Sequence, residues 1–302
     1  MPSFRAAPVR VRVPATSANL GPGFDCAGLA LELFDHVVVR VADSGLVVDV
    51  AGEGADDLPR DKRHLVVEAL RATFDALGGQ PRGLEVVCAN HIPQSRGLGS
   101  SSAAIVAAVV AARALVVGGD EQLDDDAMLA LTTRIEGHPD NVAACLRGGF
   151  VLSWVGASGV RALRLDVAQQ LAPVAFVPTT RASTMAVRGM LPATVPHADA
   201  AANAARAALL AHALGHDTAL LFDATEDRLH QSYRAPAMPG TASLVAALRA
   251  DGIPAVVSGA GPTVLALTTT ASRDAVAGRA PRGWQALPLD VQTEGARVVP
   301  LA

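Results

Sequence analysis

The spacing of apolar residues predicts short strands interleaved with helices. Apolar side chains take every second position from Val9 to Val13, the pattern of a strand with one buried face, and Pro14 is expected to end that strand. From Leu65 to Leu77 the apolar residues recur at helical spacing, and Gly78 and Gly79 follow, as they do at helix ends. Further strands are predicted at 29–41, 46–50 and 84–88. The opening order is therefore three strands, a helix and a strand.

The rest of the chain continues this mixture. Residues 100–116 are apolar on nearly every side of a helix, which indicates a buried helix, and Asp124 to Asp126 mark the start of a helix that runs toward Glu136. Strands are predicted at 150–155, 160–165, 174–178, 255–258 and 263–267, and helices at 183–190, 199–214 and 241–250. Because no regular strand–helix–strand repeat appears, the pattern predicts an α+β fold.

Length allows two domains, since 302 residues exceed the roughly 100–200 of one typical domain. The pattern turns back to strands after Gly148 and Gly149. We therefore place a boundary near Ser158, with an N-terminal domain at 1–158 and a C-terminal domain at 159–302.

Composition excludes several classes of protein. Hydrophobic residues make up 50% of the chain and charged residues 18%, which is a globular balance. The formal net charge of -4 provides no global positive field for nucleic acid or an anionic membrane. Cys26, Cys88 and Cys145 lack the paired spacing of a zinc site, and no apolar run reads as a signal peptide or a membrane span. We expect a cytoplasmic protein that holds any anionic ligand locally.

The segment Gly97 to Ala103 (GLGSSSA) lies where a predicted loop meets the buried helix. Glycines let the backbone approach a ligand closely, and the first N–H groups of a helix have no partner within it, so the segment predicts an anion site suited to phosphate. A plain turn with Ser100 or Ser101 as helix N-cap is the alternative. The chain carries neither the lysine-containing nucleotide P-loop nor a complete Gly-x-Gly-x-x-Gly fingerprint, which disfavours a Rossmann dehydrogenase.

Two more glycine-rich segments accompany this one, residues 14–25 (PATSANLGPGFD) and 258–263 (SGAGPT). Together with residues 93–103 (PQSRGLGSSSA), they resemble the three motifs of the GHMP kinases, a superfamily named for its galacto-, homoserine, mevalonate and phosphomevalonate kinases. The first segment, residues 136–141 (EGHPDN) and residues 183–188 (STMAVR) are similar to those of the members that act on homoserine. The resemblance spans residues 9–267.

The resemblance implies the GHMP kinase fold, with an N-terminal domain like domain 2 of ribosomal protein S5 and a ferredoxin-like C-terminal domain. It implies transfer of the ATP γ-phosphate to the side-chain hydroxyl of L-homoserine, giving O-phospho-L-homoserine on the route to threonine. Phosphoryl transfer depends on positioning and charge neutralisation, so each motif residue should supply one of these. A homodimer is a candidate assembly, and neither nucleic acid nor membrane is an expected partner.

The resemblance also implies roles in binding ATP and Mg²⁺. The expected ATP-binding residues are Pro93, Arg96, Gly97, Leu98, Gly99, Ser100, Ser101 and Ser102. Ser101 and Glu136 are expected to hold Mg²⁺ with Thr184 nearby, an oxygen set that suits this hard cation. A transition-metal cluster of His138, Asp140 and Glu136 is disfavoured because Pro139 breaks the helical spacing that would align them.

Homoserine carries a carboxylate, an ammonium group and a hydroxyl, and the resemblance implies a partner for each. Arg188 and Arg234 match the carboxylate clamps, because a guanidinium fork suits a carboxylate, and Asp25 matches the ammonium partner. The remaining pocket positions are Asn19, His138 and Asn141. Asn141 is expected to contact the hydroxyl, and Asn141 and Arg188 are expected to be catalytic.

Alternatives remain at this stage. Asp140 is available as a general base, but in many family members the phosphate itself takes the proton. The helix that usually opens with Asn-Leu-Val for adenine opens here with His64, which offers a ring donor or acceptor. A mevalonate-type kinase is a second function, disfavoured because Asp25 would repel a simple hydroxy acid. A non-catalytic nucleotide- or amino-acid-binding module is a third, disfavoured because the phosphate loop and Glu136 are present.

Overall fold

Two sheets organise the protein, whose computed structural model describes residues 2–180, 187 and 189–301. The predicted helix at 183–190, which includes Thr184 and Arg188, lies outside the described residues except at Val187, Gly189 and Met190. In chain order, the described strands are β1 (Val9–Asn19), β2 (Gly23–Ala42), β3 (Gly45–Gly52), β4 (Gly83–Asn90), β5 (Phe150–Gly156), β6 (Gly159–Leu165), β7 (Val174–Pro178), β8 (Ala255–Val257), β9 (Val264–Ala266), β10 (Trp284–Pro288) and β11 (Arg297–Val299).

Helices cover the faces of these sheets. In chain order, those in the described ranges are α1 (Leu65–Ala76), α2 (Ser100–Leu115), α3 (Gly119–Gln122), α4 (Asp125–Glu136), α5 (Pro139–Arg147), α6 (His197–Gly215), α7 (Leu221–Ala224), α8 (Gln231–Arg234), α9 (Pro239–Ala250) and α10 (Arg273–Ala277). Two 3₁₀ turns, Thr218–Leu220 and Ala235–Ala237, precede α7 and follow α8. In the parts of the chain that the structure describes, none of these helices combines the length and apolar character needed to cross a membrane.

The first sheet has the strand order β11-β1-β2-β4-β3, with β5 paired to β2 and β6 paired to β5. Its pairs are antiparallel except β3 with β4, which run parallel with α1 between them. The alternation predicted for β1 is confirmed, since Val11 and Val13 are fully buried. Helix α2 is buried on most sides, as its apolar pattern predicts, and packs against β1, α1 and α4.

The prediction that Pro14 ends the first strand is wrong. Strand β1 continues to Asn19, and its register against β2 shifts between Pro14 and Ala15. A register shift accommodates a residue that has no backbone N–H to donate, so proline is tolerated there. The continuation carries the first glycine-rich segment into the protein interior, because Thr16 and Ser17 are fully buried.

The second sheet has the order β10-β7-β9-β8, and all its pairs are antiparallel. Counted along the chain this order is 4-1-3-2, with helices after its first and third strands. The ferredoxin-like prediction for the C-terminal half is therefore confirmed. The boundary near Ser158 stays a prediction; the β5–β6 hairpin of the first sheet extends to Leu165, and β11 joins β1 from the C-terminal end of the chain.

Candidate functional site

A cavity of about 510 Å³ is lined by residues from both halves of the chain. The predicted site residues among its lining are Asn19, Asp25, Gly97, Gly99, Ser100, Ser101, Glu136, His138, Asn141 and Arg234. The predicted ATP residues Pro93, Arg96, Leu98 and Ser102 are not among the lining residues. Three distant glycine-rich segments and residues 136–141 therefore meet at one place.

The serine-rich loop forms a turn into α2. Gly97 and Gly99 have φ values of +78° and +71°, in the left-handed region that favours glycine. A Cβ at Gly97 would collide with the Ser258 carbonyl, and one at Gly99 with the Thr16 hydroxyl. Gly99, not a serine, is the N-cap, and it provides no side-chain cap for the first turn. The N–H groups at the start of α2 are thus available for an anion.

Hydrogen bonds join the three glycine-rich segments into one wall. The Ser258 hydroxyl donates to the Gly97 carbonyl at 2.6 Å and lies 2.8 Å from the Ser17 hydroxyl. The amide of Asn19 donates to the Gly259 carbonyl at 2.9 Å, and the Gly259 N–H donates to Ala18 at 3.0 Å. The shape of the anion loop therefore depends on residues more than 150 positions away in the sequence.

Glu136 lies at the end of α4, beside the start of α2. Its Oε1 accepts hydrogen bonds from the hydroxyls of Ser101 at 2.6 Å and Ser102 at 2.8 Å. The carboxylate and the Ser101 hydroxyl form an oxygen pair next to the anion loop, and Mg²⁺ commonly uses one or two carboxylates together with substrate phosphates. These residues therefore fit the cation that the sequence implies.

Arg96, which the motif resemblance places among the ATP-binding residues, contacts the protein backbone in the structure. Its guanidinium donates to the carbonyl oxygens of Gln94, Pro178 and Thr179 at 2.9–3.1 Å. These bonds tie the anion loop to the end of β7. In the structure, Arg96 therefore links the loop to the second sheet.

The segment EGHPDN forms the junction of α4 and α5. Pro139 occupies the first turn of α5, where its missing N–H is tolerated. The Asp140 carboxylate is buried, lies 2.6 Å from His138 Nδ1, and accepts the N–H of Asn141 at 2.8 Å. Thr16 donates its hydroxyl to Asn141 Oδ1 at 2.8 Å, so the amide NH₂ of Asn141 remains for a ligand. Thr16 lies in the first glycine-rich segment, but nothing in the sequence singled it out.

Arg234 brings a cation to the same cavity from α8. Its side chain is 1% exposed, and its Nη1 lies 3.2 Å from His230 Nδ1 and 3.4 Å from the Gly259 carbonyl. The Phe24 ring lies 5.3 Å from the guanidinium carbon, within the range of a cation–π contact. Sequence reasoning missed His230 and Phe24, because neither residue type by itself indicates a supporting role.

Asp25 sits on the first glycine-rich segment with an unusual backbone. Its φ is +58°, a conformation that aspartate tolerates better than most residues, and its N–H donates to Asn19 Oδ1 at 3.0 Å. Both polar groups of the Asn19 amide bond to backbone, because Oδ1 accepts the Asp25 N–H and the NH₂ group donates to the Gly259 carbonyl. The structure therefore places Asn19 as the support of Asp25.

The end of the cavity near α1 is more apolar. Its lining includes Val37, Leu58 and Leu65 together with the His64 ring. His64 caps α1 by accepting the Val66 N–H on Nδ1 at 3.2 Å, and its buried Nε2 has no hydrogen-bond partner among the described residues. Burial lowers the pKa of His64, so the ring is neutral at pH 7 with its proton on Nε2.

Asp35 also lines this end. Its carboxylate accepts the N–H groups of His91 at 2.6 Å and Ile92 at 2.9 Å. Burial raises the pKa of Asp35 to about 6, although the two backbone donors act in the opposite direction. The aspartate and His64 supply polar groups to a cavity that Val37, Leu58 and Leu65 also line.

Comparison with known families matches both halves of the chain. Residues 64–149 match the GHMP kinases N terminal domain, and residues 197–286 match the GHMP kinases C terminal family. The chain is 65% identical over 301 residues to a homoserine kinase of Streptomyces avermitilis, covering 100% of this chain and 99% of the relative. It is 63% identical over 301 residues to one from Streptomyces coelicolor, covering 100% and 97%.

Solved structures agree. A homoserine kinase from Cytophaga hutchinsonii superposes with a TM-score of 0.83 at 26% identity, and 99% of each chain is covered. An L. major mevalonate kinase in complex with R-mevalonate superposes with a TM-score of 0.71 at 18% identity, covering 98% of this chain and 100% of that one. The second likeness concerns the fold alone.

Proposed function

Because this chain belongs to the GHMP kinase family and, within it, to the homoserine kinases, we propose how its residues transfer the γ-phosphate of ATP to the side-chain hydroxyl of L-homoserine. The product is O-phospho-L-homoserine, on the route to threonine. The observation that carries the assignment of roles is the meeting of an anion loop, an acidic Asp25 and a cationic Arg234 in one cavity. A zwitterionic alcohol and a phosphate donor need all three.

The phosphates of ATP are assigned to the loop 97–102 and the start of α2. Backbone N–H groups there, with the hydroxyls of Ser100 and Ser101, offer donors without the flexibility of long side chains. Glu136 and Ser101 would hold Mg²⁺, which when bound neutralises charge on the phosphate oxygens. We assign Thr184 to the same region, although it lies outside the described residues.

Homoserine is assigned to the other side of the loop. Arg234 and Arg188 bind its carboxylate and Asp25 binds its ammonium group. Asn19 and His138 complete the pocket, Asn19 by holding Asp25 in place. Arg188 lies outside the described residues, so its role rests on the resemblance alone. A buried guanidinium suits a carboxylate because both are planar and can share two hydrogen bonds.

The reacting hydroxyl is assigned to Asn141. Because Thr16 occupies Asn141 Oδ1, the amide NH₂ can donate to the hydroxyl oxygen and fix its direction toward the phosphate. Asp140 is less suited to act as base than its position suggests, since its Oδ1 already accepts from His138 and from a backbone N–H. The proposal therefore relies on positioning, with the proton passing to the phosphate.

The state of the cysteines indicates the compartment in which the enzyme works. All three cysteines are free, and two of them are buried, which suits a reducing compartment such as the cytoplasm. A homodimer and the domain boundary near Ser158 stay proposals. Pro93, Arg96 and Leu98 are proposed to act on ATP through the shape of the loop.

A side-by-side kinase assay tests the substrate. With Mg²⁺ and ATP, we expect kcat/KM for L-homoserine to exceed that for mevalonate, galactose or threonine by at least about tenfold. Mevalonate and galactose have no ammonium group for Asp25, and threonine carries its hydroxyl one carbon nearer to the carboxylate. Product formation is followed by coupled ADP release. Equal turnover of mevalonate or galactose would contradict the assignment.

A further inference from the structure

His230 is a fully buried histidine between two parts of the substrate pocket. Its Nε2 lies 2.9 Å from the carbonyl oxygen of Gly21, in the turn between β1 and β2. Its Nδ1 lies 3.2 Å from Nη1 of Arg234, one helical turn further along the chain. The ring therefore bridges the first glycine-rich segment and the guanidinium assigned to the substrate carboxylate.

These two partners determine the protonation state of the ring. A carbonyl oxygen only accepts and a guanidinium only donates, so His230 must carry its proton on Nε2 and a lone pair on Nδ1. That is the neutral Nε2–H tautomer. A doubly protonated ring would turn an N–H toward the N–H of Arg234 and replace a hydrogen bond by repulsion.

The charged groups around the ring act in both directions. Asp227 lies 3.6 Å from Nε2 and favours the charged ring, as does Asp25 from β2, whereas Arg234 opposes it. Burial is the largest influence, and the pKa of His230 is lowered. The Phe24 ring stacks on the other side at 5.2 Å and adds no charge.

The backbone around His230 is held as well. The carboxylate of Asp227 accepts the N–H groups of His230 at 3.1 Å and Gln231 at 2.8 Å, which fixes the start of α8. Phe24 touches both His230 and Arg234. The ring and the guanidinium are thus held as one unit against the first glycine-rich segment.

We propose that neutral His230 is a positioning residue that aims Arg234 at the substrate carboxylate, and that protonation of this single ring releases the guanidinium and weakens homoserine binding. The inference rests on the proposed function, because it takes Arg234 as a carboxylate clamp. It adds a residue that does not touch the substrate, and it predicts that homoserine affinity depends on pH through this ring.

The test is a calorimetric titration of L-homoserine into the full chain, with a non-hydrolysable ATP analogue present, at pH 7.5 and pH 5.5. The carboxyl and amino groups of homoserine keep their charges across this range. Because the pKa of His230 lies below its ordinary value of about 6.5, protonation is incomplete at pH 5.5, and we expect the dissociation constant of the wild type to rise severalfold, by less than about tenfold, at the lower pH. The affinity for the ATP analogue is measured separately at each pH, so that the nucleotide site is kept saturated, because Asp35 and the terminal phosphate of the analogue also titrate in this range.

Two variants of His230 separate positioning from packing. His230→Gln keeps one donor and one acceptor but does not titrate, so its homoserine affinity should change less than about twofold between the two pH values. His230→Phe keeps a ring against Phe24 but neither hydrogen bond, so its KM for homoserine should rise about tenfold at both pH values while kcat holds. His212→Gln, the same change at an exposed histidine, should keep the pH dependence of the wild type.

The outcomes are distinct. A wild type that binds no homoserine at pH 7.5 overturns the proposed function, and this inference with it. A wild type that binds homoserine, but whose affinity falls in acid in parallel with that of His230→Gln, overturns the inference and leaves the proposed function standing. If His230→Phe does not fold, the pH comparison between the wild type and His230→Gln still decides.

Discussion

Two regions that we propose to bind anions face the same cavity, and they differ in the groups that form them. The loop at 97–102 relies on glycine-rich backbone and hydroxyls at the start of α2. The region of Arg234 relies on one buried charged side chain, held by a histidine, an aromatic ring and a carbonyl. A backbone site binds phosphate through its shape. A buried guanidinium binds a carboxylate through its charge, and burial strengthens the electrostatic attraction between the two groups.

The two regions are therefore sensitive to different kinds of substitution. The loop needs left-handed glycines and close contact with the segment around Ser258, so it is sensitive to any added side chain. The buried guanidinium needs hydrogen-bond partners that replace water without cancelling its charge, so it is sensitive to the charge of its neighbours. Phosphate transfer should therefore respond to changes near the loop through kcat, and homoserine recognition to changes near Arg234 through affinity.

The largest expected effect is on the phosphate side. Glu136→Ala removes the carboxylate that accepts from Ser101 and Ser102, and we expect kcat to fall about 10²- to 10³-fold, because charge that develops during transfer loses its stabilisation. The dissociation constant for homoserine, from calorimetry, should change less than about twofold. Glu121→Ala, at an exposed glutamate on α3, is the matched control and should leave kcat unchanged.

If Glu136→Ala keeps near-normal kcat at saturating Mg²⁺, the carboxylate is only a helix-end charge. In that case the loop acts on phosphate through backbone and hydroxyl groups alone, and Glu136 has no part in holding the metal.

The next effect is on the homoserine side. Arg234→Ala should reduce kcat/KM for homoserine by about 30- to 1000-fold, or about 2–4 kcal/mol, since one side of a charge-assisted clamp is lost. Arg234→Lys should recover only part of this, because an ammonium keeps the charge without the planar fork. Arg279→Ala, which removes an exposed arginine paired to Asp251 at 2.8 Å, is the matched control.

Calorimetry with ATP and homoserine, each titrated separately, completes that test. Affinity for ATP should be unchanged in Arg234→Ala. A matching loss of ATP affinity would mean that the two anion regions are not independent, and an unchanged homoserine affinity in a folded variant would remove Arg234 from the pocket.

The sequence predicted one region better than the other, for a physical reason. The anion loop is contiguous, so its glycines and the start of α2 could be recognised from local composition. The strand and helix periods likewise predicted β7 and α1 to within a few residues. Pro14 misled the prediction of β1 because a register shift in a sheet is a property of two strands, and one strand's sequence does not reveal it.

The surroundings of Arg234 could not be predicted in the same way. Gly21, Phe24 and His230 come together only when the β1–β2 turn meets the start of α8, about 200 residues later in the chain. Thr16 behind Asn141 is a similar case, separated from it by 125 positions. The motif resemblance identified residues that line the cavity, such as Asp25 and Asn141, whereas the residues that hold them in place became visible only in the fold.

The smallest expected effect concerns the apolar end, where His64 would contact the base of ATP. Since the backbone loop supplies most of the binding, loss of the single Nε2–H donor should raise the ATP dissociation constant only about five- to tenfold in His64→Phe. His64→Asn retains an N-cap acceptor and an amide donor, so its ATP affinity should stay within about threefold of the wild type. Melting temperatures separate the loss of the α1 cap from the loss of binding, and homoserine affinity should not change in either variant. If His64→Phe binds ATP as the wild type does, Nε2 does not face the nucleotide, and the phosphate loop accounts for nucleotide binding without help from this histidine.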